Sequence, residues 1–331
     1  MNQNNSNYLE NLRIRQGADS LRRKFIDLAA RHRQKAIRYL NHDKLRFPTL
    51  YLLMPDIQTF NLYDELIPRN NTAIQIWAKK SRDFALAFRL ERLLPQDNET
   101  NRAALKWMFD TGLYWDGPSN FSENFNAAID TAAAMLIATH KDMTVLPAVC
   151  ELIFWRHRQG LLIHDLVWGF FQSYEPDSMM MIAKYLNTGD AKDVELACRL
   201  LHIDIPDSVD AFTAHNHKNL FEQYKSWFYE NNPYLRFTGE HFLQTSEPNP
   251  LYLDNEAKYL GKRISPKDGL PLENVTPDET ACLIQFRKAS ENDQEILSSY
   301  SARLHNRDFR LWKEWIMSNI SEQVSTAIAE L

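Results

Sequence analysis

Residues 145–201, VLPAVCELIFWRHRQGLLIHDLVWGFFQSYEPDSMMMIAKYLNTGDAKDVELACRLL, decide the fold. Apolar positions recur there at helical spacing, and the punctuation is regular. Gly160 stands ahead of one segment, Pro176 near the first turn of the next, and Asp190 with Asp193 at the start of a third. Proline needs no N–H in a first turn, and a carboxylate accepts the free N–H groups found there. The spacing predicts helices over 145–158, 161–173, 176–187 and 191–203. Starts at 145, 161, 176 and 191 step by 16, 15 and 15 residues. Pairs therefore recur at about 31, close to the period of two-helix solenoid repeats. The first two segments are apolar nearly all round and are expected at the buried centre.

Working outward, helices are predicted over 102–111, 122–139 and 216–230, the last with Leu220, Phe221, Tyr224, Trp227 and Phe228 as its inward stripe. Residues 18–41 read as a basic amphipathic helix, and 72–94 as a helix with Ile74, Trp77, Phe84 and Phe88 on one side. Between them, Pro48, Pro55 and Pro68 predict an irregular 42–71. Residues 232–277 hold six of the 14 prolines and three of the nine glycines, which reads as an extended arm with aromatics to bury. Helix returns at Thr276-Pro277-Asp278-Glu279, a capping box with proline at the first helical position. After a short helix following Ser290, a last helix is predicted over 308–330, with Trp312, Ile316, Ile320, Val324 and Ile328 every four residues and Trp315 beside them. The organisation expected is 1–71, a basic N-terminal helix and irregular connection; 72–230, the body; 231–276, the arm; and 277–331, a C-terminal helical module.

Composition agrees with an all-α class. Nine glycines stand where average usage of about 7 % would place roughly 23, which disfavours hairpin-rich architectures and glycine-lined phosphate loops. Strand is expected in fewer than about a tenth of the residues, with 42–71 and 232–277 the places where short pairs would hide.

The body resembles HEAT- and armadillo-type α-helical repeat proteins, most clearly in Asp193-Val194-Glu195-Leu196-Ala197-Cys198-Arg199-Leu200-Leu201, which looks like the second helix of such a repeat. The resemblance implies architecture and carries no chemistry with it.

A second resemblance lies in Gly160 to Gly169, which is similar to the core helix of HD-domain metal phosphohydrolases. It implies His140, His164, Asp165 and one of Asp204, Asp207 or Asp210 as ligands of a divalent cation that lowers the pKa of a bound water. Val167-Trp168-Gly169 replaces the Gly-His/Lys that usually follows that motif. The other reading puts His164 on the line of Leu161, Trp168 and Phe171 as a hydrogen-bonded core histidine, and it is this reading, with no metal bound, that we expect. His215-x-His217 reads as a solvated polar turn. No GxGxxG, GxxxxGK[ST], GxSxG, HExxH or Glu-x-x-His occurs. No cofactor is expected.

Charge is segregated. Residues 1–50 carry eleven Lys/Arg against four acids, whereas the remainder carries 27 basic and 39 acidic residues. The basic segment is expected to meet protein, on its own chain or on another copy, with nucleic acid or an anionic membrane as the alternative. No secretory leader and no membrane span is read, and Cys150, Cys198 and Cys282 form no CxxC, so a reducing cytoplasm is expected. Together these features predict a non-catalytic scaffold or adaptor that binds protein partners or self-assembles. The residues offered for partner contact are Arg22, Arg23, Arg31, Arg38, Tyr252, Trp312, Trp315, Ile316 and Ile320. The alternatives are an HD-like phosphohydrolase and a nucleic-acid-binding accessory protein.

Overall fold

A computed structural model describes residues 7–94, 97–117, 122–203, 214–242, 244–245 and 248–330, with side chains in 214–231 described from 219 onward. The fold is all-α and helical-repeat-like. Among the described residues there are seventeen α-helices and one ribbon of two three-residue strands. Two compact units are present, one comprising 1–153 with 165–173 and the other 154–164 with 174–331.

In the first unit, α1 (Tyr8–Arg31) begins earlier than periodicity suggested. Asn7 caps it, its Oδ1 accepting the N–H groups of Leu9 and Glu10 at 2.8 and 3.3 Å. Gly17, with φ 80° and ψ 178°, interrupts it, and α2 (Arg33–Leu40) follows after a break at His32. The expected irregular stretch instead contains α3 (Phe47–Thr59), and α4 (Pro68–Lys80) starts on its last proline. Pro48 and Pro68 occupy first turns, where no N–H is missed. Pro55 lies inside α3 on its exposed side and forfeits a hydrogen bond. Complete burial of Phe47, Leu50, Leu53 and Ile57 offsets that loss.

The single helix expected over 72–94 is two. Arg82 turns left-handed at φ 61°, and α5 (Phe84–Glu91) restarts with Asp83 Oδ1 accepting the Leu86 N–H at 3.0 Å. The restart changes the helical phase, so Phe84 and Phe88 face solvent at 67 % and 59 % exposure instead of joining Ile74 in the core. The unit continues through α6 (Asn98–Gly112) and α7 (Ser122–Ala138).

The chain then runs through α8 (Leu146–Arg158), α9 (His164–Phe171), α10 (Ser178–Ala183) with a 3-10 turn Lys184–Asn187, and α11 (Ala191–Leu201), close to the predicted series. After α12 (Ala214–Asn231), the arm is no free extension. Strands β1 (Leu235–Phe237) and β2 (Leu251–Leu253) pair antiparallel, Arg236 opposite Tyr252. Next come α13 (Asn255–Leu260), α14 (Pro277–Phe286), α15 (Glu291–Arg307), α16 (Phe309–Ile316) and α17 (Ile320–Glu330). The predicted capping box is formed: Thr276 Oγ1 accepts the Glu279 N–H at 3.3 Å, and Glu279 Oε2 accepts the Thr276 N–H at 2.8 Å.

The terminal helix expected over 308–330 breaks at residues 317–319, and both pieces fold back. Trp312, Trp315 and Ile316 are buried against Tyr259, Phe286, Leu297, Tyr300 and Leu304. Four side chains and backbone groups within this core are joined by hydrogen bonds. Trp312 Nε1 donates to Ser301 Oγ at 2.8 Å, and Ser301 donates to the Tyr259 carbonyl at 2.5 Å. Tyr259 OH donates to Gln323 Oε1 at 2.8 Å, and Gln323 Nε2 donates to the Ile316 carbonyl at 3.0 Å. Replacing a buried tryptophan by alanine removes both packing and one of those hydrogen bonds. Trp312→Ala is expected to cost about 3–5 kcal/mol in denaturant unfolding, whereas Ile328→Ala, on the exposed side, stays within about 0.5 kcal/mol.

Candidate functional site

The predicted basic residues are partly neutralised inside their own unit. Arg22 donates from Nε and Nη2 to the two oxygens of buried Asp56, both at 2.9 Å, and this bond raises the pKa of its guanidinium. Arg31 pairs with Asp27 at 2.8 Å on the open surface. Buried Arg13 is held by Glu10 at 2.7 Å, by Thr49 at 2.9 Å and by Asp116. Arg23 and Arg38 are exposed.

His164 is not the buried core histidine expected from the sequence. His164 is exposed at the first position of α9, its ring 5.4 Å from that of Phe242, which the Arg199 guanidinium also approaches at 5.1 Å. The shift has a local cause. Gly160, at φ 68°, ends α8, and Leu161 to Ile163 lie outside any helix, so the predicted inward line is not continuous. Asp165 is exposed in the first turn of α9, where a carboxylate suits the helix dipole. His140 follows α7, with Nε2 buried. Among the described residues no three His, Cys, Asp or Glu side chains come together as a possible metal site. Asp204, Asp207 and Asp210 lie outside the described residues, as do the side chains of His215 and His217.

At the C-terminal end, Trp312, Trp315 and Ile316 are core residues and Ile320 is partly buried against them, so the stripe offered to a partner is already covered by its own module. Tyr252 is half exposed, with the Arg236 guanidinium 4.7 Å from its ring. What this module does leave open is a groove of about 480 Å³, formed where α12, α13 and α15 end beside α16.

Aromatic and charged groups share the groove. Phe309 stacks on Trp312 at 5.3 Å, and His305 meets both edge-on, at 5.3 and 4.7 Å. Gly261 permits this twice over: it turns left-handed at φ 63°, and an added Cβ would lie 2.8 Å from the His305 ring. Glu230, Glu273 and Glu279 supply carboxylates. Lys262 lies 3.0 Å from Glu279 and 3.9 Å from Glu273, and the exposed Arg263 approaches Glu273 at 3.8 Å. Burial works against the Glu279 carboxylate, yet the Thr276 N–H and the Lys262 ammonium hold its pKa below the ordinary value. Behind this wall, buried Lys258 donates to Asn231 Oδ1 at 2.7 Å and lies 3.4 Å from Glu230. Burial lowers its pKa despite Glu230. Sequence reading missed this set because its members come from five separate elements; only His305, Phe309 and Trp312 show helical spacing, and a helix break lies between them.

Compared with known proteins, the chain matches no family, no curated protein and no solved structure.

Lys258 makes stability depend on pH with a definite sign. Its folded pKa lies below the unfolded value of about 10.4, so between the two values the unfolded chain binds more protons and stability rises with pH. Buried Cys198 and Tyr224, whose pKa values are raised, act with the opposite sign in this range. The check is therefore the difference between parent and Lys258→Met in denaturant unfolding at neutral pH and at about pH 10: the parent should gain relative to the variant as pH rises.

Proposed function

We propose that the chain is a non-catalytic, self-assembling scaffold or adaptor subunit, in which the C-terminal groove of one copy receives exposed cations from the N-terminal segment of another. The observation that carries this reading is the groove itself. Tyr229 and Phe309 present aromatic faces at 62 % and 58 % exposure beside Glu230 and Glu273. Three helix C-termini, each with partial negative charge, end there. An arginine over such a ring is worth about 0.5–2 kcal/mol, depending on how far it is desolvated. Arg23 and Arg38 are exposed to supply it. The three cysteines are free, two of them buried, which suits the reducing cytoplasm in which we place the protein.

Light scattering after gel filtration tests the reading. An oligomer is expected at low ionic strength that dissociates toward about 1 M salt, where the Debye length falls to about 3 Å. Phe309→Ser and Arg38→Glu should each weaken it by about tenfold. A monomer at every concentration contradicts the proposal. Binding of generic DNA, falling by about 0.9 log unit per log unit of salt for each phosphate neutralised, would instead assign the cations to nucleic acid.

A further inference from the structure

We propose that α5 and the turn preceding it form a peripheral docking surface for an anionic lipid bilayer. The inference is independent of the C-terminal groove. Helix α5 is anchored on one side by Leu86, Ala87 and Leu90, all at 5 % exposure or less. Its other side carries Phe84 and Phe88, one turn apart and among the most exposed large apolar side chains among the described residues. Leu93, just past the helix, is exposed as well. Single exposed apolar residues are ordinary, but an aligned pair of phenylalanines on one turn is a surface with a direction.

The surroundings give that surface a charge. Lys79, Lys80, Arg82, Arg89 and Arg92, running from the end of α4 to just past α5, are all exposed, against Asp83 and Glu91. Asp83 is committed to capping α5, and Arg89 lies 3.5 Å from Asp64. The remaining cations have no carboxylate within ion-pair distance among the described residues. Apolar tips in a segment rich in exposed lysine and arginine match the acyl boundary and the anionic headgroups of a bilayer, each cation near such a surface contributing about fivefold in affinity. No described helix is long and apolar enough to cross a membrane, so the attachment is peripheral.

Two observations favour lipid over a nucleic acid, the other polyanion. The Arg92 guanidinium covers Phe88 at 4.5 Å from the ring centre, which takes one ring face away from base stacking. Both rings also project from the outer side of a helix, where insertion is open to them and sandwiching of a base is not.

Co-sedimentation of the full chain with vesicles tests the proposal. Binding is expected to phosphatidylcholine vesicles containing about 30 % phosphatidylglycerol, and not to phosphatidylcholine alone. Phe84→Ser with Phe88→Ser, and separately Lys79→Glu with Lys80→Glu, should each weaken it by tenfold or more, roughly, at unchanged melting temperature. Arg15→Glu with Lys24→Glu, exposed cations of the N-terminal segment outside the proposed assembly contact, should leave it unaltered. Equal binding to both vesicle types overturns the proposal, as does binding that only the N-terminal variant abolishes. Binding to single-stranded oligonucleotide without binding to either vesicle overturns it in favour of nucleic acid.

Discussion

Helices in this chain have to end with very little glycine, and the rest of the structure depends on how they do so. Asn61, Arg82, Lys141, Tyr174 and His202 all lie in the left-handed region, and each follows a helix: α3, α4, α7, α9 and α11 in turn. A side chain there costs roughly 1–2 kcal/mol, so the ends must be held by something. Hydrogen bonds of the Schellman type hold several of them. The Leu62 N–H reaches the Ile57 carbonyl at 3.2 Å, Asp83 reaches Ala78 at 2.8 Å, and Ile203 reaches Cys198 at 2.9 Å. Burial of the helix faces on either side supplies the rest.

Those endings decide which faces look outward. The left-handed Arg82 lets α5 restart in a new phase, which turns Phe84 and Phe88 to solvent while Leu86 and Leu90 stay inside. At the other end of the chain, a true glycine, Gly261, does the same work and in addition lets His305 pack against the backbone. The break after Ile316 folds α17 back so that Gln323 joins the buried hydrogen bonds to which Trp312 contributes. Each surface we assign a role is thus a by-product of where a helix was stopped.

How much of this could be read beforehand follows from the same cause. Helical periodicity over 145–201 and the scarcity of glycine made the all-α class legible, and the Thr276 capping box was legible residue by residue. The helix ends at Arg82 and His202 were not, because nothing in an arginine or a histidine announces φ above zero. Pro55 misled in the opposite direction, since its missing hydrogen bond, on the exposed side of α3, counts for less than the fully buried face opposite it. The tryptophans of α16 looked too large to leave uncovered; that judgement holds, but their cover comes from Tyr259, Phe286 and Tyr300 of the same chain. The groove was invisible because contacts such as Lys262 to Glu279 and Gly261 to His305 join separate elements, which no local pattern records.

The central claim, that strained, side-chain-bearing residues terminate the helices, is tested most directly by the unfolding free energies of Arg82→Gly and Lys141→Gly. Both positions are exposed and left-handed, so the substitution removes strain without removing buried contacts. The account predicts that each variant is more stable than the parent by up to about 1 kcal/mol, the relief of strain exceeding the extra entropy of the unfolded chain. A loss of about 0.5–1 kcal/mol, the ordinary penalty for introducing glycine, would contradict it.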